Sequence, residues 1–306
     1  MHEQLCALAA AQGGVVTTAQ ALAHHSRSDV RRLLRTGAWC QVRRGVYAQT
    51  RVLCESPPHL LAAAGLVLVS SGDVVLSHAS AAALHRLPHV DPPVAPTLTL
   101  VRSVGTPARQ PDGHHAAAVP PTERMRLLGL PLTTPARTVA DLLRASADHA
   151  DAVAVADAAL RHGIPREQIA AVLAGCVRWP GVRRASEALA AADPRAESPL
   201  ESRCRVWFLR QGLPEATPQV RVLGARGQVV ARVDFLFRAQ RTVCEADGRS
   251  KYDEPAALWR EKKREDALRE LGLEVVRATW ADGEDDGRAL AERLRRAFTR
   301  AAARPW

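Results

Sequence analysis

The 306-residue sequence predicts a multidomain α/β protein. It reads as a helix-and-hairpin unit over residues 1–50, a mixed α/β middle over 51–190 and an α/β/α core over 195–306. Three observations predict this. The chain is too long for one small core. Its 47% hydrophobic content is that of a globular protein. The order of helical and strand-like stretches also differs in each of the three segments.

In the first segment, Leu5, Leu8 and Ala9 have helical spacing, and Gly13-Gly14 ends that helix. Val15 to Thr18 is short and extended, and a second helix runs from about Thr18 to Ala23. Ser26 to Asp29 caps a third helix, whose apolar face is Val30, Leu33 and Leu34 and which Gly37 ends. Trp39 to Tyr47 reads as a hairpin with Arg43-Arg44-Gly45 at the turn. Helix, strand, helix, helix and hairpin is the order of a winged helix-turn-helix.

From Arg27 to Arg51 there are seven arginines against one acid, Asp29. Arg27, Arg31, Arg32 and Arg35 lie on or near the third helix, and Arg43 and Arg44 sit in the hairpin. A helix in the major groove with a wing on the backbone would use these groups on DNA. A solvated arginine face is the plainer reading, and winged helices also dock proteins.

In the middle segment, Pro57 to Leu68 reads as a helix and Val74-Val75-Leu76 as a strand entering a capped Ala-rich helix over Ser77–Leu84. Pro93 to Val101 alternates like a strand. Leu132 to Leu143 is a loop entering a helix, and Ala-rich helices continue to about Ala191. His78, His85, His114 and His115 lack a carboxylate at partner spacing, so surface or capping roles are expected of them.

Asp193-Pro194 reads as a linker. Ser198-Pro199-Leu200-Glu201 then opens a helix with Glu201 at the capping-box position and a buried stripe of Leu200, Val206 and Leu209 joined by Cys204. Strands follow over 218–223, 229–237 and 241–245, then a helix over 255–271, a strand over 273–278 and a basic helix over 287–302. Helix, three strands, helix, strand and helix is the core order of the restriction-endonuclease-like fold.

Two of these strands deliver acids. Val233-Asp234-Phe235 carries one carboxylate, and Cys244-Glu245-Ala246-Asp247 carries two, with Lys251 four residues on. Close carboxylates raise one another's pKa, and Mg2+ (or Mn2+) relieves that with hard oxygen ligands while acidifying a bound water. This is equipment for cutting a phosphodiester. Asp234 and Glu245 are the expected metal ligands and Asp247 and Lys251 the assisting groups. Arg260, Arg264 or Lys263 would hold the neighbouring phosphate. The plainer alternatives are a capping role for Glu201, an Asp247-Gly248 turn and a solvated Glu261–Glu265 helix face.

The net charge of +10 favours nucleic acid or an anionic membrane. Only three of the 42 basic residues are lysines (Lys251, Lys262 and Lys263), so keeping Lys251 beside the acids suggests a chemical need. Six scattered cysteines lack zinc spacing and suit a reducing cytosol. The longest apolar run, Leu60 to Val69, is too short to span a bilayer and no leader is evident, so a cytoplasmic protein is expected.

The stretches QGGVVTTAQALA, WCQVRRGVYA, VLSHASAAALHRLP and LPLTTPARTVADLL, in that order over roughly residues 2–145, resemble the AbiEi-type antitoxins. That resemblance implies operator DNA binding by Arg27 to Arg44 and leaves a partner toxin open. The stretches ESPLESRCRVWFLRQGLP, VDFLF, CEADGRSKYD and LWREKKREDALRELGLEVVRATW resemble the very-short-patch-repair-like endonuclease modules of the PD-(D/E)XK superfamily over about residues 197–285. By that resemblance Asp234 and Glu245 fall at the two acidic positions and Glu201 at an additional ligand position. Asp247 stands where the superfamily often has lysine, and Lys251 where these relatives place a histidine. The implied function is a DNA-binding protein with a metal-dependent nuclease-type domain. The rival is a non-catalytic regulator or antitoxin with a degenerate nuclease fold. A homodimer is compatible with either.

Overall fold

The computed structural model describes residues 3–55, 58–70, 73–88, 98–101, 114–247 and 255–304. Along the chain lie α1 (Glu3–Ala11), β1 (Val15–Thr17), α2 (Thr18–Leu22), α3 (Arg27–Arg35), β2 (Trp39–Arg43), β3 (Val46–Gln49), α4 (Thr50–Glu55) and α5 (Pro58–Val69). Next come β4 (Val74–Leu76), α6 (His78–Leu84), β5 (Leu98–Val101), β6 (His114–Ala117), β7 (Arg124–Leu127), β8 (Leu130–Thr133) and α7 (Pro135–Ala145). The remainder is α8 (His149–Arg161), α9 (Arg166–Gly175), α10 (Val182–Ala191), α11 (Pro199–Arg210), β9 (Thr217–Leu223), β10 (Val229–Phe237), β11 (Thr242–Ala246), α12 (Pro255–Glu270), β12 (Glu274–Ala278) and α13 (Arg288–Ala303).

The chain divides into two compact units, residues 1–145 with 164–180, and residues 146–163 with 181–306. This cuts across the expected middle segment, because α8 and α10 pack with the C-terminal elements.

In the first unit, β1, β3 and β2 form a three-stranded sheet in that order. Its inner face does not close on the first fifty residues alone. Val15, Val46 and Ala48 share one buried cluster with Leu61 and Ala64 of α5, Leu76 of β4 and Leu132 of β8. A second cluster, with Leu5, Val16, Ala21, Val30 and Trp39, holds α1, α2 and α3 together. Gly129, at φ +78°, turns the β7–β8 hairpin so close to the end of α1 that a Cβ there would lie 2.0 Å from the Ala11 carbonyl oxygen. A five-stranded sheet, β6-β5-β4-β8-β7, completes the unit. Ser77 precedes α6 as expected, but it makes no side-chain cap bond to the helix; its Oγ lies 2.9 Å from His78 Nδ1.

The second unit is built on the sheet β12-β11-β10-β9, with β9, β10 and β11 antiparallel and β12 parallel to β11. The element order matches the expectation of helix, three strands, helix, strand and helix. One sheet face carries Phe235, Phe237 and Cys244 against Leu200, Cys204, Trp207 and Phe208 of α11 and Leu290 and Leu294 of α13. The other carries Val233, Leu236 and Val243 against Leu268 of α12. Leu209 does not belong to the buried stripe of α11. It is 78% exposed, because positions 200, 204, 207 and 208 already fill the inward arc of a 3.6-residue helix. The Asp193 region is no loose linker either: the Asp193 N–H donates to Asp157 Oδ1 at 2.6 Å.

Candidate functional site

The first candidate surface is the outer face of α3. Ser26 and Asp29 form a reciprocal capping box, with Asp29 N–H donating to Ser26 Oγ at 3.1 Å and Ser26 N–H to Asp29 Oδ2 at 3.3 Å. The Ser26 hydroxyl also donates to Asp29 Oδ2 at 2.6 Å, and this bond holds the Asp29 carboxyl below its usual range. With the helix start fixed, Val30 turns inward and Leu33 and Leu34 pack on the same cluster. Arg27, Arg31, Arg32 and Arg35 therefore all lie on exposed positions. Arg32 pairs with Asp29 at 3.0 Å across one turn. Arg44 is exposed at the β2–β3 turn, whereas Arg43 is half-buried because its alkyl stem lies against Gly65 of α5. The wing thus offers one fully exposed arginine where the sequence suggested two.

The second candidate lies on the C-terminal sheet. The register pairs Phe235 with Cys244 and Leu236 with Val243, so one step further sets Asp234 opposite Glu245. On its other side, Val233 pairs with Val220 and Phe235 with Pro218, which sets Gln219 opposite Asp234. Both strands depart from regularity there. Gln219 has φ +54°, and on β10 the alternation slips: Ala231, Val233 and Leu236 face one side while Phe235 and Phe237 face the other. Asp234 sits at that slip, and its Oδ2 accepts the Ala246 N–H at 2.8 Å.

Glu245 is buried, and its Oε1 receives Arg264 Nη1 from α12 at 3.0 Å. Asp247 follows β11 and lies 3.8 Å from Arg277 Nη1, while Arg277 Nη2 also meets Glu265 at 2.9 Å. Glu201, 5% exposed, turns its Oε2 to the Glu197 N–H at 2.9 Å and to Gln219 Nε2 at 2.7 Å. Its own N–H caps onto Ser198 Oγ at 3.1 Å. Burial raises the Glu201 pKa, and the nearby Asp234 charge adds to that.

The structure thus brings Asp234, Glu245 and Glu201 to one end of the strand pair. It holds each by protein donors. Among the described residues no three His, Cys, Asp or Glu side chains converge to hold a metal ion. Lys251 lies outside the described residues, as do Gly248, Arg249 and Ser250. Of the expected solvated face over Glu261–Glu265, Lys262 and Lys263 are exposed, and the Glu261 side chain, like that of Arg260, lies outside the described ones. Arg264 and Glu265 turn inward to ion pairs. Gln219 and Arg277 had no local signal in the sequence, since their roles come from strands and a helix far along the chain.

Cys176, Cys204 and Cys244 are buried free thiols, and burial raises their pKa values. No described helix is long and apolar enough to cross a membrane.

Residues 3–49 match the model of a family described as a transcriptional regulator, AbiEi antitoxin. Uncharacterized proteins from two Mycobacterium tuberculosis strains, CDC 1551 / Oshkosh and H37Rv, are each 33% identical over 177 residues, which is 58% of this chain. The match spans 65% of the length of those relatives. A crystal structure of the Rv2827c protein from Mycobacterium tuberculosis is 21% identical, with 71% of this chain and 82% of that one covered and a TM-score of 0.39.

Proposed function

We propose that the chain is a DNA-binding regulator that reads duplex DNA through α3 and the β2–β3 wing. The observation that carries this reading is the row of Arg27, Arg31, Arg32 and Arg35 on the exposed face of one capped helix, inside the segment that matches the regulator family. Guanidinium groups on such a helix can bind phosphates and the O6/N7 edge of guanine. The test is selection of bound duplexes from a random pool by the full chain. Enrichment of one motif, lost in Arg31→Ala/Arg35→Ala, supports the reading; no enrichment and salt-insensitive binding refute it. The description of the family as an antitoxin makes a partner toxin the second macromolecule to seek, by co-purification.

A second reading is favoured by the C-terminal sheet: a nuclease-type domain acting on DNA phosphodiesters. The strand order and the Asp234–Glu245 juxtaposition support it. The carboxylate oxygens suit Mg2+ or Mn2+ in kind, and Asp234 and Glu245 would hold such an ion, which would supply a polarised water and offset phosphate charge. In arrangement the fit is partial, because Arg264 occupies Glu245 and the Ala246 N–H occupies Asp234. Arg264 would exchange its carboxylate for a substrate phosphate, and Gln219 would keep Glu201 oriented. Incubation with intact, nicked and mismatched plasmid in Mg2+ or Mn2+ tests it. Cleavage abolished by Asp234→Ala supports the site, and cleavage that survives, or none at all, removes it.

A further inference from the structure

The first unit contains a cavity of about 330 Å3 lined by His78, His115, Arg137, Asp141, Arg144 and Trp179, with Arg178 and Pro180 at its side. None of these residues enters the DNA or nuclease readings. Its construction is specific. Arg137 is 2% exposed and bonds through Nε and Nη1 to Asp141 at 2.9 Å, Glu123 at 2.5 Å and the Ala118 carbonyl at 3.3 Å. Arg144 is only partly engaged: Nη1 meets Asp141 at 3.0 Å, but its Nε–H is buried with no hydrogen-bond partner. Both guanidiniums lie over the Trp179 ring, at 5.1 and 4.7 Å. Across from them His78 and His115 stack with centroids 3.9 Å apart. His78 is held there by a left-handed backbone, φ +48°, which a histidine adopts at a cost. Burial keeps its imidazole neutral at pH 7. Three arginines thus stand against two acids, Asp141 and Glu123, leaving a positive excess at the cavity.

We infer that this cavity binds a small phosphate-bearing anion, with Arg144 as its principal donor, Arg178 closing on it from the rim and the His78–His115 stack forming the wall. The guanidinium fork matches phosphate geometry, and the Nη groups of Arg144 and Arg178 supply its donors. The residues that build the site are Arg137, Asp141 and Trp179; the residues that would touch the ligand are Arg144, Arg178 and His115.

The full chain is titrated calorimetrically, in phosphate-free buffer, with inorganic phosphate, a nucleoside monophosphate and acetate. Saturable binding of the phosphate probes and weaker binding of acetate are expected. A preference for the nucleotide would identify an organic phosphate ester, and equal affinity a free phosphate. Arg144→Gln is expected to weaken binding about tenfold, as for one lost charge-assisted bond. If that variant melts early, Arg178→Gln, at an exposed position, replaces it with the same expectation. Ligand protection of His115 from diethylpyrocarbonate, read by mass spectrometry, provides a measurement on the unaltered chain. No saturable phosphate binding up to about 10 mM, acetate binding as tight as phosphate, unchanged affinity in the folded variant or absence of protection would each overturn the inference.

Discussion

Arg264 Nη1 stands 3.0 Å from Glu245 Oε1, so the carboxylate expected to take a metal ion is held by a guanidinium from the neighbouring helix. The Glu245 side chain is 11% exposed and that of Arg264 28%. A carboxylate so far removed from water needs a counter-charge, and Arg264 of α12 supplies one.

Arg264→Ala should therefore destabilise the C-terminal unit by about 2 kcal/mol, below the usual cost of breaking a fully buried pair because Arg264 is partly solvated. On the proposed nuclease reading, the same change opens Glu245 to Mg2+. Thermal melts with and without Mg2+ should show a larger metal-dependent rise in the variant than in the parent chain. Equal rises, or none in either, would show that Glu245 is not a metal ligand.

Among the described residues, Arg137 and Asp141 form the most buried ion pair of the first unit, each with a side chain 2% exposed. Asp141→Asn leaves two guanidiniums, those of Arg137 and Arg144, short of charge and should cost about 3–5 kcal/mol. Replacing both partners, Arg137→Met with Asp141→Leu, should cost less than the two single changes summed. Urea titration of the four chains closes the double-mutant cycle, and strict additivity would contradict the pairing.

On DNA, Arg31→Ala with Arg35→Ala should lower affinity and flatten its dependence on salt. If both groups neutralise phosphates, the log–log slope falls by about 1.8 in magnitude. Fluorescence anisotropy at several salt concentrations measures it. An unchanged slope would mean that these arginines face solvent in the complex.

His78 gives the first unit a pH signature. Burial, opposed in part by Asp141, lowers its pKa from 6.5 to about 4. The unfolded chain therefore binds the extra proton first as pH falls. Stability from this group is complete above about pH 6.5 and is lost progressively toward pH 4, by up to about 3 kcal/mol. The difference in stability between the parent chain and His78→Gln should shrink over that window. A constant difference would show that His78 titrates normally.

Most elements were legible in the sequence because their signals are local. Ser26 and Asp29 announce the start of α3, Gly37 its end, and Ser198-Pro199 the start of α11, since caps and left-handed glycines act within a few residues. The acid-bearing strands were legible for the same reason: Asp234 interrupts an apolar run. What lay beyond reach depends on contacts far along the chain. Leu209 looks as apolar as Leu200 but lies outside the inward arc once Trp207 and Phe208 are seated. His78 and His115 lack any partner spacing, yet β6 and α6 bring their rings to 3.9 Å.

By itself, then, the sequence determined where the helices and strands of the first fifty and the last hundred residues lie, which residues carry charge, and that a basic helix precedes two acidic strands. It held no sign of α4, β6 or the β7–β8 hairpin. Periodicity, capping and turn chemistry operate over a few residues and leave their mark in the order of the letters. Only the tertiary structure decided that α8 and α10 join the C-terminal unit, that Gln219 bends opposite Asp234, and that Arg264 neutralises Glu245. Those outcomes come from burying polar groups, and a buried charge takes its partner from whatever element the fold brings within about 3 Å, however distant in sequence.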